Sequence, residues 1–206
     1  MSNVLDVQLL AEVFVVLFVI MDPPGTVPVF LGLTGAMTAK QRNRAARVAI
    51  GVAFGVIVSF ALFGQQLLDY MNISLPALQA SGGLLLLLVA MQLLTGNLEE
   101  AKPAEAGSVN VAMVPLGTPL LAGPGAIVAT MVFVQRAQST AEWVSIGVGI
   151  VAVHVCVWLA MRFAGAVHRV LRDSGTTLVT RIAGVLLAAI AVQLVADAVR
   201  AFIAGG

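Results

Sequence analysis

Asp22 opens the stretch of this chain with the most chemistry in it: Met21-Asp22-Pro23-Pro24-Gly25-Thr26, with Pro28 two residues on. A carboxylate can hold a proton or a cation. Pro23, Pro24 and Pro28 remove three amide donors, so carbonyls one turn earlier lose their helical partners, and Gly25 loosens the backbone. A second such stretch carries Thr118, Gly123, Pro124 and Gly125, with Pro115 and Pro119 before the glycines. Interrupted helices expose N–H groups that favour a carboxylate and carbonyls that favour an ammonium or another cation. A zwitterionic amino acid needs both. Thr26 and Thr118 add hydroxyls, either for a ligand or for bonding back to their own helices. Asp22 is also a good N-cap for a helix that starts at Pro23, a structural role compatible with proton binding.

Other chemistry is sparse. The sequence has no Ser-His-Asp set, no pair of catalytic acids, no zinc motif and no phosphate loop, so neither an enzyme nor a metal or cofactor site is expected. His154 and Cys156 are two residues apart and on a helix face different ways, so they make no metal pair, and His154 reads as a packing histidine. Cys156, the single cysteine, forms no intramolecular disulfide. Gln92 and Gln193 read as hydrogen-bonding glue between helices, and Gly51 with Gly55 as a GxxxG pair for close packing within the chain.

The elements that position these residues belong in lipid. Of 206 residues, 60% are hydrophobic and 10% charged, against about 45–50% and about 25% in ordinary soluble domains. With 11 bases and 10 acids there is no basic excess to hold a nucleic acid. Apolar runs of about 20 residues, the length that spans a bilayer, lie at 48–68, 75–95, 111–134 and 143–161, all free of charge, and at 182–202. The first, 7–37, is interrupted by Asp22 and the prolines. As one helix it would be about 45 Å long against a hydrocarbon core of about 30 Å, so it must bend or re-enter. No basic residue precedes Lys40, which argues against a cleaved signal peptide. Nine of the basic residues fall in the loops around Lys40 to Arg47, Lys102 and Arg162 to Arg181, and only Arg136 and Arg200 on the other side. The positive-inside rule then predicts both termini outside and a cytoplasmic linker at 96–110.

An internal repeat organises the spans. Pro24-Gly25 stands 100 residues before Pro124-Gly125, and residues 83–94 set over 184–195 match at six of twelve positions, including Gly83 with Gly184 and Gln92 with Gln193. The halves, 1–95 and 111–206, hold three spans each. An odd number inverts the second half. The sequence therefore predicts an all-α integral membrane protein of six transmembrane segments, two inverted three-span repeats with the first span of each broken. Such an arrangement lets a transporter expose one site alternately to the two sides. Asp22 has Ala122 as its counterpart, so the site is asymmetric.

The motifs MDPPGTVPVFLGLT (21–34) and VPLGTPLLAGPGAI (114–127), together with the repeated Gly and Gln, resemble the MarC/SnatA family of bacterial and archaeal inner-membrane proteins over essentially the whole chain. The resemblance implies the six-span inverted-repeat fold and transport of small neutral amino acids such as glycine and alanine, by proton-linked uptake or by export. It maps the family's breaks onto Asp22, Pro23, Gly25 and Pro28 and onto Gly123, Pro124 and Gly125. Where the family more commonly has one proline, an aliphatic residue and Gly-Asn, this chain has Pro23-Pro24-Gly25-Thr26. The expected function is alternating-access transport of a small neutral solute held by Asp22, Pro23, Pro24, Gly25, Thr26, Thr118, Gly123, Pro124 and Gly125. Asp22 or the freed carbonyls would take the coupling ion. The alternative is a membrane scaffold or sensor whose breaks are structural.

Overall fold

The computed structural model describes residues 5–35, 37–95 and 121–204, and among them it is helical with no strand. The linker at 96–110, the start of the fourth span at 111–120 and Thr118 lie outside the described residues. The long first segment becomes two helices, α1 (Val7–Met21) and α2 (Pro23–Thr34), divided at Asp22. Next comes α3 (Ala39–Tyr70), which begins at a capping box between Thr38 and Gln41, so the basic residues Lys40 to Arg47 form its first turns rather than a loop. Then follow α4 (Leu75–Thr95), with the bounds the apolar run predicts, and α5 (Pro124–Arg136). The chain closes with α6 (Thr140–Arg162), capped by Ser139, and α7 (Ala164–Ala204), which is interrupted at Arg172 by a φ of 52°.

Among the described residues five helical stretches are long and apolar enough to cross a membrane: Val7–Val27, Ala39–Tyr70, Leu75–Thr95, Thr140–Arg162 and Thr177–Ala204; the apolar helix Gly125–Arg136 is shorter. The last of the five begins at Thr177 rather than at 182. One exposed arginine, Arg181, does not end an apolar helix, because a long arginine stem can cover apolar surface while its charged head stays in water. Thr180 is thereby drawn into the span.

Packing follows the small residues. Helices α4 and α7 share the most extensive interface, α2 lies on α6 and α7, and α5 lies on α3 and α4. A Cβ at Gly83 would stand 2.7 Å from the Ala191 carbonyl oxygen and 2.7 Å from Val195 Cγ2, and one at Gly184 would stand 3.1 Å from Leu93 and Leu94. Rising numbers on α4 meet falling numbers on α7, so the two run antiparallel. The main core joins α1, α2, α3 and α6 through Leu17, Phe30, Ile57 and Ile146, all almost fully buried. Leu84, Leu88 and Met91 on α4 and Val185, Leu186 and Val192 on α7 are exposed. Such a surface suits hydrocarbon, not water. Two expectations change. Among the described residues, Gly51 and Gly55 have nothing within 4 Å of an added Cβ, so neither marks a close helix contact there. Gln193 donates to Asp197 on its own helix at 2.8 Å instead of bridging helices.

Candidate functional site

Asp22 ends one helix and begins the next. Its backbone is left-handed (φ 39°, ψ 69°), a conformation aspartate tolerates better than most residues. The Asp22 N–H donates to the Phe18 carbonyl at 3.0 Å, and carboxyl Oδ1 accepts from the Gly25 N–H at 3.2 Å. The capping role is therefore present. The Thr26 hydroxyl bonds back to the Asp22 and Met21 carbonyls at 2.9 and 3.1 Å. Pro23 and Pro24 are the first two residues of α2 and offer no N–H to the carbonyls of Val19 and Ile20, while Pro28 offers none to that of Pro24. Two helices thus meet at a point of unspent backbone polarity.

The second carboxyl oxygen, Oδ2, meets no donor in good hydrogen-bond geometry among the described residues, although Asp22 is only 7% exposed, and the Thr180 hydroxyl stands near enough to interact weakly with the carboxyl. Beside it stands Thr180 of α7: a Cβ built on Gly25 would overlap Asp22 Oδ2 and lie 2.8 Å from Thr180 Oγ1. A side chain at 25 would thus displace the chain's own carboxylate. Gly125 is likewise explained by packing, because its Cβ would overlap the Leu86 side chain of α4.

Between the break at Asp22 and the N-terminus of α5 lies a cavity of about 140 Å³, whose walls include Asp22, Gly25, Gln92, Leu121, Gly123 and Gly125. On the α5 side, Gly123 caps the helix with extended backbone and no side-chain hydrogen bond. Pro124 occupies the first helical position, and the N–H groups of Ala126 and Ile127 both turn back to the Gly123 carbonyl at 3.0 and 3.2 Å. The Gly125 N–H is one of the first-turn donors that have no partner inside the helix. One wall thus carries a bare carboxylate oxygen and another the positive end of an α-helix. Gln92 and Thr180 join the site without having been expected there. Gln92 carries a signal, its repeat with Gln193; Thr180 carries none, because it precedes the apolar run at 182.

The remaining polar groups are accounted for by structure. His154 is buried, with Nδ1 2.7 Å from the Ile150 carbonyl and its ring edge-on to Phe54, as a packing histidine would be, although Nε2 is unpaired among the described residues. At one end of the bundle Asp6 caps α1 through the Leu9 N–H, Glu142 accepts from the Gln138 N–H, and Arg136 lies 4.0 Å from Asp197. Among the described residues no group of His, Cys, Asp or Glu is placed to hold a metal ion.

Comparison with known proteins agrees with this architecture. Residues 7–203 match the MarC family of integral membrane proteins. A UPF0056 membrane protein of Methanocaldococcus jannaschii is 34% identical over 95% of this chain and 98% of its own length. The UPF0056 membrane protein YhcE of Escherichia coli is 32% identical over 97% of this chain and 96% of its own length, and YvbG of Bacillus subtilis 28% identical over 90% and 92%. No solved structure matches. A family match over nearly the whole chain, relatives of the same length in bacteria and archaea, and apolar helices with outward-facing leucines and valines identify the chain as a member of the MarC family of integral membrane proteins.

Proposed function

We propose that the chain is a secondary transporter of small neutral amino acids, glycine or alanine in size, held between the two breaks. The observation that carries this reading is the pairing inside one small cavity of a buried Asp22 carboxyl, whose Oδ2 lacks a well-placed donor among the described residues, with the N-terminus of α5, where Gly123 offers no side-chain cap. A buried acceptor without a donor is costly, and an ammonium group satisfies it. The free Gly125 N–H, at the positive end of the helix, takes a carboxylate. The two lie on different broken segments, so a zwitterion bridges them. The volume, about 140 Å³, falls well below the roughly 300 Å³ and more of drug-sized sites. Asp22 is also the coupling-ion candidate, since the oxygen that takes the ammonium can take a proton when the cavity is empty.

Alternating access is supported by the packing. Exchanging the halves turns the contact of α2 with α6 and α7 into the contact of α5 with α3 and α4, and both are present. We read the chain as two inverted three-span repeats, 1–95 and 111–206, with both termini outside and the linker at 96–110 cytoplasmic, in the inner membrane of a bacterium or archaeon.

The test is uptake of radiolabelled glycine and alanine into proteoliposomes, with and without a pH gradient. Saturable flux that neutral amino acids compete is the expected result. Its absence across a panel of neutral amino acids would favour a scaffold or sensor whose breaks are structural.

A further inference from the structure

We propose that Gln92 reads the side chain of the solute and admits serine beside glycine and alanine. The inference rests on the reading of the cavity as a neutral amino-acid site. An α-amino acid held there has three groups to place. Asp22 takes the ammonium and the N-terminus of α5 the carboxylate, which leaves the wall built by α4. That wall consists of Leu86, Val89, Gln92 and Leu93. Leu86, Val89 and Leu93 follow the spacing of one helix face, and Gln92 stands at its edge. The aliphatic residues suit a methyl group. A carboxamide both donates and accepts, so it suits a hydroxyl.

The cost of the glutamine points the same way. Gln92 is exposed on a helix whose other outward residues are the apolar Leu84, Leu85, Leu88 and Met91 and two hydroxyl residues, Ser81 and Thr95, that bond back to carbonyls of their own helix. A carboxamide turned to hydrocarbon without a partner is penalised by kilocalories. Its repeat counterpart Gln193 escapes the penalty by donating to Asp197 four residues on, at 2.8 Å. Four residues beyond Gln92 stands Gly96, which has no side chain to receive such a bond. Gln92 lines the cavity beside Asp22, and there its polarity is available to a solute. The same residue at equivalent places in the two halves therefore does two different jobs.

The test compares serine with 2-aminobutyrate, which carries a methyl group where serine has its hydroxyl. Both compete with radiolabelled alanine for the purified full-length protein. The wild-type protein is expected to prefer serine. In Gln92→Met, serine competition weakens by roughly tenfold, the loss of one hydrogen bond, while alanine binding is retained and 2-aminobutyrate competes as well as before or better. An unchanged serine to 2-aminobutyrate ratio in Gln92→Met overturns the inference and leaves the transporter reading standing. So does a wild-type protein that does not distinguish the two competitors, a result that needs no variant to fold. Failure of the wild-type protein to bind glycine, alanine or serine overturns both.

Discussion

Gly83 of α4 and Gly184 of α7 are counterparts across one helix crossing: Gly83 meets Ala191 and Val195, and Gly184 meets Ala90 and Leu94, the same positions shifted by the repeat. The two contacts differ in tightness. At Gly83 the nearest atom is a backbone oxygen at 2.7 Å, which moves only if the helix moves; at Gly184 side-chain carbons lie first, at 3.1 Å. Gly83→Ala should therefore destabilise by about 1–3 kcal/mol, as overpacking does, and Gly184→Ala by less. Gly51→Ala and Gly55→Ala, into open space, should be neutral or stabilising by about 0.5–1 kcal/mol. Thermal unfolding in detergent checks the order, and equal effects at all four positions would remove the close crossing as the cause.

A Cβ on Gly25 overlaps the carboxyl of Asp22. Gly25→Ala should push that carboxyl off its cap and out of the cavity, lowering alanine binding at least tenfold in a protein that still purifies. Binding at the wild-type level would show that the carboxylate can stand elsewhere without harm.

Much of this arrangement was legible in the sequence, because lipid makes apolar length and proline placement speak loudly. The break at Asp22 followed from three prolines and a segment too long for one span, and α4 has the predicted ends. What the sequence hid was proximity. Thr180 lies far from Asp22 along the chain, beside Arg181, and nothing in its neighbours marks it as a site residue; packing of α7 on α2 brings it there. Gln92 and Gln193 looked alike because a local repeat records identity, while their roles depend on what lies four residues on. Gly51 and Gly55 show the converse, a motif that promises a contact within the chain and makes none among the described residues.

Membrane orientation is the next expectation to test. With nine basic residues on one side against two on the other, cysteines at Asn72 and Gln138 should react with an impermeant maleimide in intact cells, and cysteines at Thr38 and Arg169 only after permeabilisation, all in a Cys156→Ser background. Labelling in the opposite order would invert the assignment.

Thr180 separates two kinds of support for the site. If its hydroxyl holds the Asp22 carboxyl in place, Thr180→Ser keeps alanine binding and Thr180→Val loses several-fold, about the value of one hydrogen bond. If Thr180 serves only to fill space on α7, the order reverses, because valine keeps the volume and serine does not.

Asp22 carries two roles that one substitution can pull apart. Asparagine keeps an acceptor for the Gly25 N–H, which lies 3.2 Å from Oδ1, and tolerates the left-handed backbone at φ 39°. Asp22→Asn should therefore fold with stability close to that of the wild-type protein. Alanine removes the cap, at about 1 kcal/mol, and strains the backbone by about 1–2 kcal/mol more, so Asp22→Ala should unfold earlier. For transport the two should fail alike. Neither side chain offers a negative charge where Oδ2 stands, so alanine affinity should fall by more than tenfold and accumulation driven by a pH gradient should vanish. An Asn variant that accumulates alanine with the wild-type dependence on pH would reduce Asp22 to its capping role and move both the ammonium and the coupling ion to the freed carbonyls of the break.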